Sequence, residues 1–273
     1  MPTKQTKYGV AGCGAMGLPM AQALLKAGFD VCGFDVRPTD QFDNFSSRMI
    51  ADPQAFSNAC DTVICVVRDT KQILDLCFND QAIFKAPHPP KTLIISSTVS
   101  PLFIKELRDL LPSKVELLDA PMSGGPQAAI ACTLTFMVGG PTEQIEILNP
   151  LFEAMGNKTF NLGDLGAGMT IKVLNNFVAA TTVAAVRNVI AQADRLGVEK
   201  DLLLSVMDQS SGQTWFGSSF NQTQWAQEQY NKTNTIGILE KDVNAFIDAL
   251  PNGAEPLHDA VITALKTLPP MPR

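Results

Sequence analysis

Apolar positions follow two different rhythms along this chain. From Tyr8 to Met155, short apolar runs alternate with amphipathic stretches. The runs predict strands at Tyr8 to Ala11, Val31 to Asp35, Thr62 to Val66, Thr92 to Ser96, Val115 to Asp119 and Leu134 to Val138. Helical spacing falls between them, at Ala15 to Ala27, Lys71 to Phe78, Pro101 to Leu111 and Thr142 to Met155. Near-continuous apolar strands separated by helices are the pattern of a parallel sheet covered on both faces. The boundary residues agree: Ser100 before Pro101 suits an N-cap followed by the first helical position, and Gly28 suits a helix stop.

After Asn161 the rhythm changes. Gly166 to Leu196 contains no proline and, after Gly168, no glycine. It carries Val173, Leu174, Phe177, Val178, Val183, Val186, Val189, Ile190, Ala193 and Leu196, too many apolar residues for a one-sided surface helix. The segment is expected to be a long helix buried on several faces, inside a domain or between two chains. Lys200 to Gln209, Thr223 to Tyr230, Thr235 to Ala249 and Pro256 to Leu268 also read as helices. The expected fold class is α/β, with an N-terminal dinucleotide-binding domain of Rossmann type at residues 1–163. A C-terminal all-α domain built on the long helix is expected at residues 164–273.

Composition narrows the chemistry. At 273 residues, 45% hydrophobic and 18% charged, the chain can bury two cores. Its net charge of −6 speaks against a nucleic-acid surface. No run approaches the roughly 18 uninterrupted apolar residues of a membrane span, and Met1 to Lys7 is too short for a signal peptide. The six cysteines form no C-x-x-C pair and no metal-type spacing, and no H-E-x-x-H pair occurs, so no metal site is expected. Neither a Y-x-x-x-K pair nor a G-x-S-x-G elbow is present. A reduced, cytoplasmic enzyme using lysine or a carboxylate is the expectation.

Gly12-Cys13-Gly14-Ala15-Met16-Gly17 follows the first predicted strand and opens the first predicted helix. In that context G-x-G-x-x-G is a dinucleotide fingerprint, with the pyrophosphate at the helix N-terminus and Ala15 and Met16 in the phosphate turn. Asp35 ends the next strand, eighteen positions past Gly17. An acid there accepts hydrogen bonds from the adenosine ribose and repels a 2′-phosphate, which favours NAD. Arg37 complicates this, because it could pair that phosphate and admit NADP. Val67, Arg68 and Thr98 end later strands at the same sheet edge, although Arg68 reads equally as a solvated loop charge.

Two segments point to a substrate. Ser123-Gly124-Gly125, after a strand, offers a hydroxyl and exposed backbone N–H groups suited to a carboxylate, with a plain turn as the alternative. Gly168, Lys172 and Asn176 stand at i, i+4 spacing, so a gap, an amine and an amide share one helix face. A lysine on a helix surface is the ordinary reading of Lys172; a catalytic amine is the sharper one.

Taken together, these motifs make the chain resemble the β-hydroxyacid dehydrogenases of the 3-hydroxyisobutyrate dehydrogenase family. The matching stretches are the fingerprint with Pro19-Met20-Ala21, Asp119-Ala120-Pro121-Met122-Ser123-Gly124-Gly125, Leu134-Thr135-Phe136-Met137-Val138-Gly139-Gly140, Gly168 to Asn176, and Lys241-Asp242. The resemblance implies a catalytic lysine at Lys172 with Asn176 as its substrate-binding partner. It implies a carboxylate-binding loop at Ser123, Gly124 and Gly125, and nicotinamide contacts at Thr98 and Lys241. Burial beside a cationic ring favours the neutral amine, which could take the hydroxyl proton as hydride leaves carbon. Imine reductases of the same superfamily commonly carry another residue at the lysine position, and a non-catalytic dinucleotide-binding module should have lost it.

The chain departs from the family at Cys132, where glycine is usual, and at a C-terminus shorter than in most relatives. A small 3-hydroxy acid is the expected substrate and NAD, or else NADP, the cofactor. A homodimer or homotetramer built on residues 166–250 is expected, because so apolar a helix needs a second copy to cover it.

Overall fold

The computed structural model describes residues 7–269 and 271. In chain order the elements are β1 (Tyr8–Ala11), α1 (Gly17–Lys26), β2 (Val31–Phe34), α2 (Pro53–Ala59), β3 (Thr62–Cys65), α3 (Thr70–Cys77), β4 (Thr92–Ile95), α4 (Pro101–Leu110) and β5 (Glu116–Asp119). Next come β6 (Met122–Ser123), α5 (Gly125–Ile130), β7 (Leu134–Val138), α6 (Thr142–Met155) and β8 (Gly156–Asn161). The remainder is helical: α7 (Ala167–Arg195), α8 (Lys200–Asp208), α9 (Trp215–Ser218), α10 (Thr235–Asp248) and α11 (Pro256–Lys266). The chain divides into two compact units between Lys172 and Val173, a point inside α7.

In the first unit, five parallel strands run in the order β2-β1-β3-β4-β5. Successive side chains of a strand point to opposite faces, and here both faces are covered. Val10, Ile64, Ile94 and Leu118 pack with Met20 and Leu24 of α1 and with Leu148 and Phe152 of α6. Their neighbours Ala11, Val63, Leu93 and Leu117 turn to the other face, with Ile73 of α3 and Ile104 and Leu107 of α4. That double burial is why the strands read as apolar runs. The cap at Ser100 forms as expected, its side chain accepting from the Leu102 N–H.

A second sheet was not anticipated. β6 pairs antiparallel with β7, and β7 pairs parallel with β8. β8 has little apolar patterning because most of its residues face solvent. The short helices α2 and α9 also lacked a periodic signal, whereas α2 is fixed by Asp52, whose carboxylate accepts from the Ala55 N–H.

In the second unit, Val183, Val186 and Ile190 of α7 pack with Phe216, Phe220, Ile236, Val243, Val261 and Leu265. By length and composition α7 could cross a membrane. Its C-terminal half, however, carries a fully buried Arg187, whose guanidinium donates to the carbonyls of Ala226, Glu228 and Pro269 at 2.7 to 2.9 Å. This also corrects the expected helix at Thr223 to Tyr230. The segment forms a turn, and carbonyls that would bond along a helix are drawn to the arginine instead.

Candidate active site

The fingerprint lies where β1 gives way to α1, beside the point at which strand order reverses between β1 and β3. Gly12 adopts φ +90°, and a Cβ there would stand 2.8 Å from the Val66 carbonyl oxygen. Only glycine lets the two strand ends close so tightly. A Cβ on Gly14 would meet nothing within 4 Å, which leaves its backbone open to an approaching group. Ala15 and Met16 form the turn, with Met16 at the N-cap of α1, and Gly17 is the first helical residue. The cradle fits a dinucleotide pyrophosphate.

Asp35 directly follows β2, and Arg37 closes onto it. The Arg37 Nε and backbone N–H donate to Asp35 Oδ1 at 3.0 and 3.1 Å, and a terminal nitrogen reaches Oδ2 at 3.2 Å. That same terminal nitrogen donates to the Cys13 carbonyl at 2.9 Å, while the guanidinium stacks over Phe42. The arginine therefore ties Asp35 to the turn between β1 and α1. Val67 and Arg68 follow β3, and Thr98 follows β4. Ser97 donates to the Val67 carbonyl at 2.6 Å, joining these two ends. All of these residues share the carboxyl edge of the sheet.

Ser123 lies in β6, opposite Thr135. Gly124 and Gly125 follow with φ of +132° and +64° and lead into α5. Cys132, the departure from glycine, takes φ +55°, so it keeps a glycine-type backbone despite its side chain.

Asp119, at the end of β5, is completely buried. Its two carboxylate oxygens accept from the backbone N–H groups of Gly166 and Met169, each at 2.6 Å. Burial pushes its carboxyl above the usual carboxylate value, against the downward pull of those two bonds. An anion bound at the first turn of α7 satisfies orphan donors and opposes the helix dipole. Gly168 permits the contact, since a Cβ there would come within 2.3 Å of the Met137 carbonyl oxygen. One turn further along α7 is Lys172, which is 7% exposed.

Asn176, 8% exposed, is one turn beyond Lys172. Its amide nitrogen donates to Asp242 Oδ2 at 2.6 Å, and Lys241 Nζ pairs with Asp242 Oδ1 at 2.7 Å. The buried Asp242 carboxylate thus joins two residues singled out from sequence. Neither Asp119 nor Asp242 had been assigned a role, although each stands inside a recognised motif. Among the described residues no cluster of histidine, cysteine and carboxylate could hold a metal ion.

A dinucleotide cradle at the switch point of a parallel sheet, followed by a helical unit, defines an oxidoreductase that uses a nicotinamide cofactor. Two family models match in tandem. Residues 7–163 match the NAD binding domain of 6-phosphogluconate dehydrogenase, and residues 166–258 match the NAD-binding domain of NADP-dependent 3-hydroxyisobutyrate dehydrogenase. L-threonate dehydrogenase of Cupriavidus necator is 32% identical over 253 residues, covering 91% of this chain and 85% of that protein. NAD-dependent L-serine dehydrogenase of Pseudomonas aeruginosa is 33% identical, covering 77% and 72% respectively. The solved Mycobacterium tuberculosis 3-hydroxyisobutyrate dehydrogenase with L-serine superposes with a TM-score of 0.78 at 28% identity, covering 95% of this chain and 92% of that one. The chain belongs to the 3-hydroxyisobutyrate dehydrogenase family of β-hydroxyacid dehydrogenases, and its cofactor is NAD or NADP.

Proposed function

We propose that this protein moves a hydride between a small 3-hydroxy acid and NAD, with Lys172 as the general acid and base. The observation that carries the reading is the burial of an amine and an amide one turn apart on α7. Asp119 anchors the start of that helix and Asp242 holds the amide. Buried polar groups are costly unless they are used or paired, and the amide's pairing is built from a carboxylate 66 positions away. The cofactor, when bound, supplies the hydride chemistry. Lys172 accepts the substrate hydroxyl proton in oxidation and returns it in reduction. Asn176 orients the substrate, while Ser123 and the N–H groups of Gly124 and Gly125 hold its carboxylate.

Gly12, Gly14, Ala15, Met16 and Gly17 take the pyrophosphate; Asp35 takes the ribose, with Arg37, Val67 and Arg68 alongside. Thr98 and Lys241 face the nicotinamide. The functional boundary between cofactor and substrate domains is placed at residues 163/164. The chain is assigned to the cytoplasm, as a homodimer or tetramer. Tandem family matches across both halves favour a hydroxyacid dehydrogenase over an imine reductase or a silent dinucleotide module.

The names of the relatives supply the test set. 3-Hydroxyisobutyrate, L-threonate and L-serine are to be assayed with NAD and with NADP, following cofactor reduction. Turnover of at least one acid, faster with NAD, is expected. Tight dinucleotide binding without turnover of any of them would overturn the reading.

A further inference from the structure

Two of the six cysteines meet outside the site described above. Cys32 in β2 and Cys60, the residue that ends α2, place their sulfurs 3.3 Å apart, each side chain almost fully buried. They are 28 positions apart in sequence; Cys60 stands two residues before β3, and β1 lies between β2 and β3. The register explains how they meet. Cys32 is paired with Gly9 of β1, and a Cβ on Gly9 would fall 2.7 Å from the Cys60 sulfur. The missing side chain at Gly9 is the gap through which Cys60 reaches across β1.

A second observation concerns access. A surface pocket of about 170 Å³ has Cys60 in its wall, together with Asn58, Asp61, His88 and Lys91. That space is many times what a water-sized molecule needs. Of the buried thiols only Cys60 lines it; Cys32 does not, but its sulfur lies 3.3 Å from that of Cys60, so a peroxide reaches it past the Cys60 side chain.

We propose that Cys32 and Cys60 form a reversible disulfide when the protein meets a hydroperoxide. Either thiol can donate in the hydrogen bond between them, and the donor decides which reacts first. With Cys60 as donor, Cys32 is drawn below the ordinary thiol value, whereas that bond and then burial hold Cys60 well above it. The Cys32 thiolate attacks the terminal peroxide oxygen, the O–O bond breaks, and the departing oxygen leaves protonated as water or an alcohol. Cys32 is now a sulfenic acid. The Cys60 sulfur attacks that sulfur, the S–O bond breaks, and the Cys60 proton leaves with the hydroxyl as a second water. Two thiols lose two electrons and two protons, and the hydroperoxide accepts both. Closing the bond brings the sulfurs about 1.3 Å nearer, a movement within the reach of side-chain rotation. A neighbouring thiol this close also intercepts the sulfenic acid before further oxidation.

The test treats the purified protein with hydrogen peroxide, alkylates free thiols after denaturation, and maps the peptides. One Cys32–Cys60 link, four alkylated thiols at Cys13, Cys65, Cys77 and Cys132, and full reversal by dithiothreitol are expected. Cross-linking β2 to the end of α2 should also raise the Tm by roughly 5–10 °C, because the bond closes a loop in the unfolded chain. In Cys60→Ala the intermediate has no resolving partner, so a dimedone adduct should appear on Cys32. Six alkylatable thiols after treatment overturn the proposal, as does Cys32 carrying two or three oxygens without a link. These readouts are independent of turnover, so they separate this proposal from the assignment of a substrate. If the alanine variant fails to fold, the peptide map of the unaltered protein decides alone.

Discussion

The side-chain amide of Asn176 donates to the carboxylate of Asp242 at 2.6 Å, although 66 positions separate the two. Because Lys241 pairs with the other oxygen, Asp242 fixes both an amide and an amine through one buried group. Asp242→Asn keeps the volume but removes a charged acceptor, so Asn176 and Lys241 lose their common anchor. A fall in kcat/KM of about 10- to 100-fold is expected, with the Tm within a few degrees of the parent. Steady-state kinetics beside thermal unfolding check it; unaltered kinetics would remove Asp242 from the catalytic arrangement.

Lys172→Ala should lower kcat by about 100-fold or more and leave dinucleotide affinity nearly unchanged. The substitution removes proton transfer while sparing the fingerprint and the Asp35 region. Turnover and calorimetric binding, measured on the same preparation, separate the two quantities. A variant that turns over normally would return Lys172 to a structural role.

The Asp35–Arg37 pair makes the cofactor preference testable. With Asp35 present, Arg37 is committed to its carboxylate and to the Cys13 carbonyl. Asp35→Ser deletes the ribose acceptor and the repulsion together, and frees the guanidinium for a 2′-phosphate. NAD should bind roughly 10-fold more weakly and NADP roughly 10-fold more tightly. Dissociation constants for both cofactors read the shift. A parent protein that already prefers NADP strongly would show that Arg37 governs the site.

Assembly follows from the helical unit. Leu174, Val178 and Val189 of α7, with Leu202 and Val206 of α8, are large apolar residues left substantially exposed. Such a surface is expected to be covered by a second copy. Light scattering at micromolar concentration should give twice or four times the chain mass. A monomer that persists on concentration would mean that this face is tolerated in water.

Much of the first unit was legible because its strands are buried on both faces and its helices on one, so the periodicity of Val10, Ile64, Ile94 and their neighbours reports the fold directly. The fingerprint was legible because its physics is local: a turn, an open glycine and a helix start within six residues. What escaped was non-local or lacked apolar contrast. Asp119 finds its partners 47 and 50 positions away, and Asp242 finds Asn176 after 66. No periodicity encodes either distance. Arg187 passes unnoticed in an apolar helix because its three acceptors come from a turn and from the last helix's tail, and that turn was itself expected to be helical.

The anchor at Asp119 also limits how this sequence can drift. A Cβ at Gly139 would lie 2.5 Å from one Asp119 oxygen, and a Cβ at Gly168 would lie 3.0 Å from the other. Giving either glycine a side chain therefore crowds the carboxylate away from its two N–H groups. The three positions thus constrain one another sterically, and a side chain at either glycine strains the acid's contacts. Anyone grafting α7 and its lysine onto another sheet would have to carry the acid and both glycines with it.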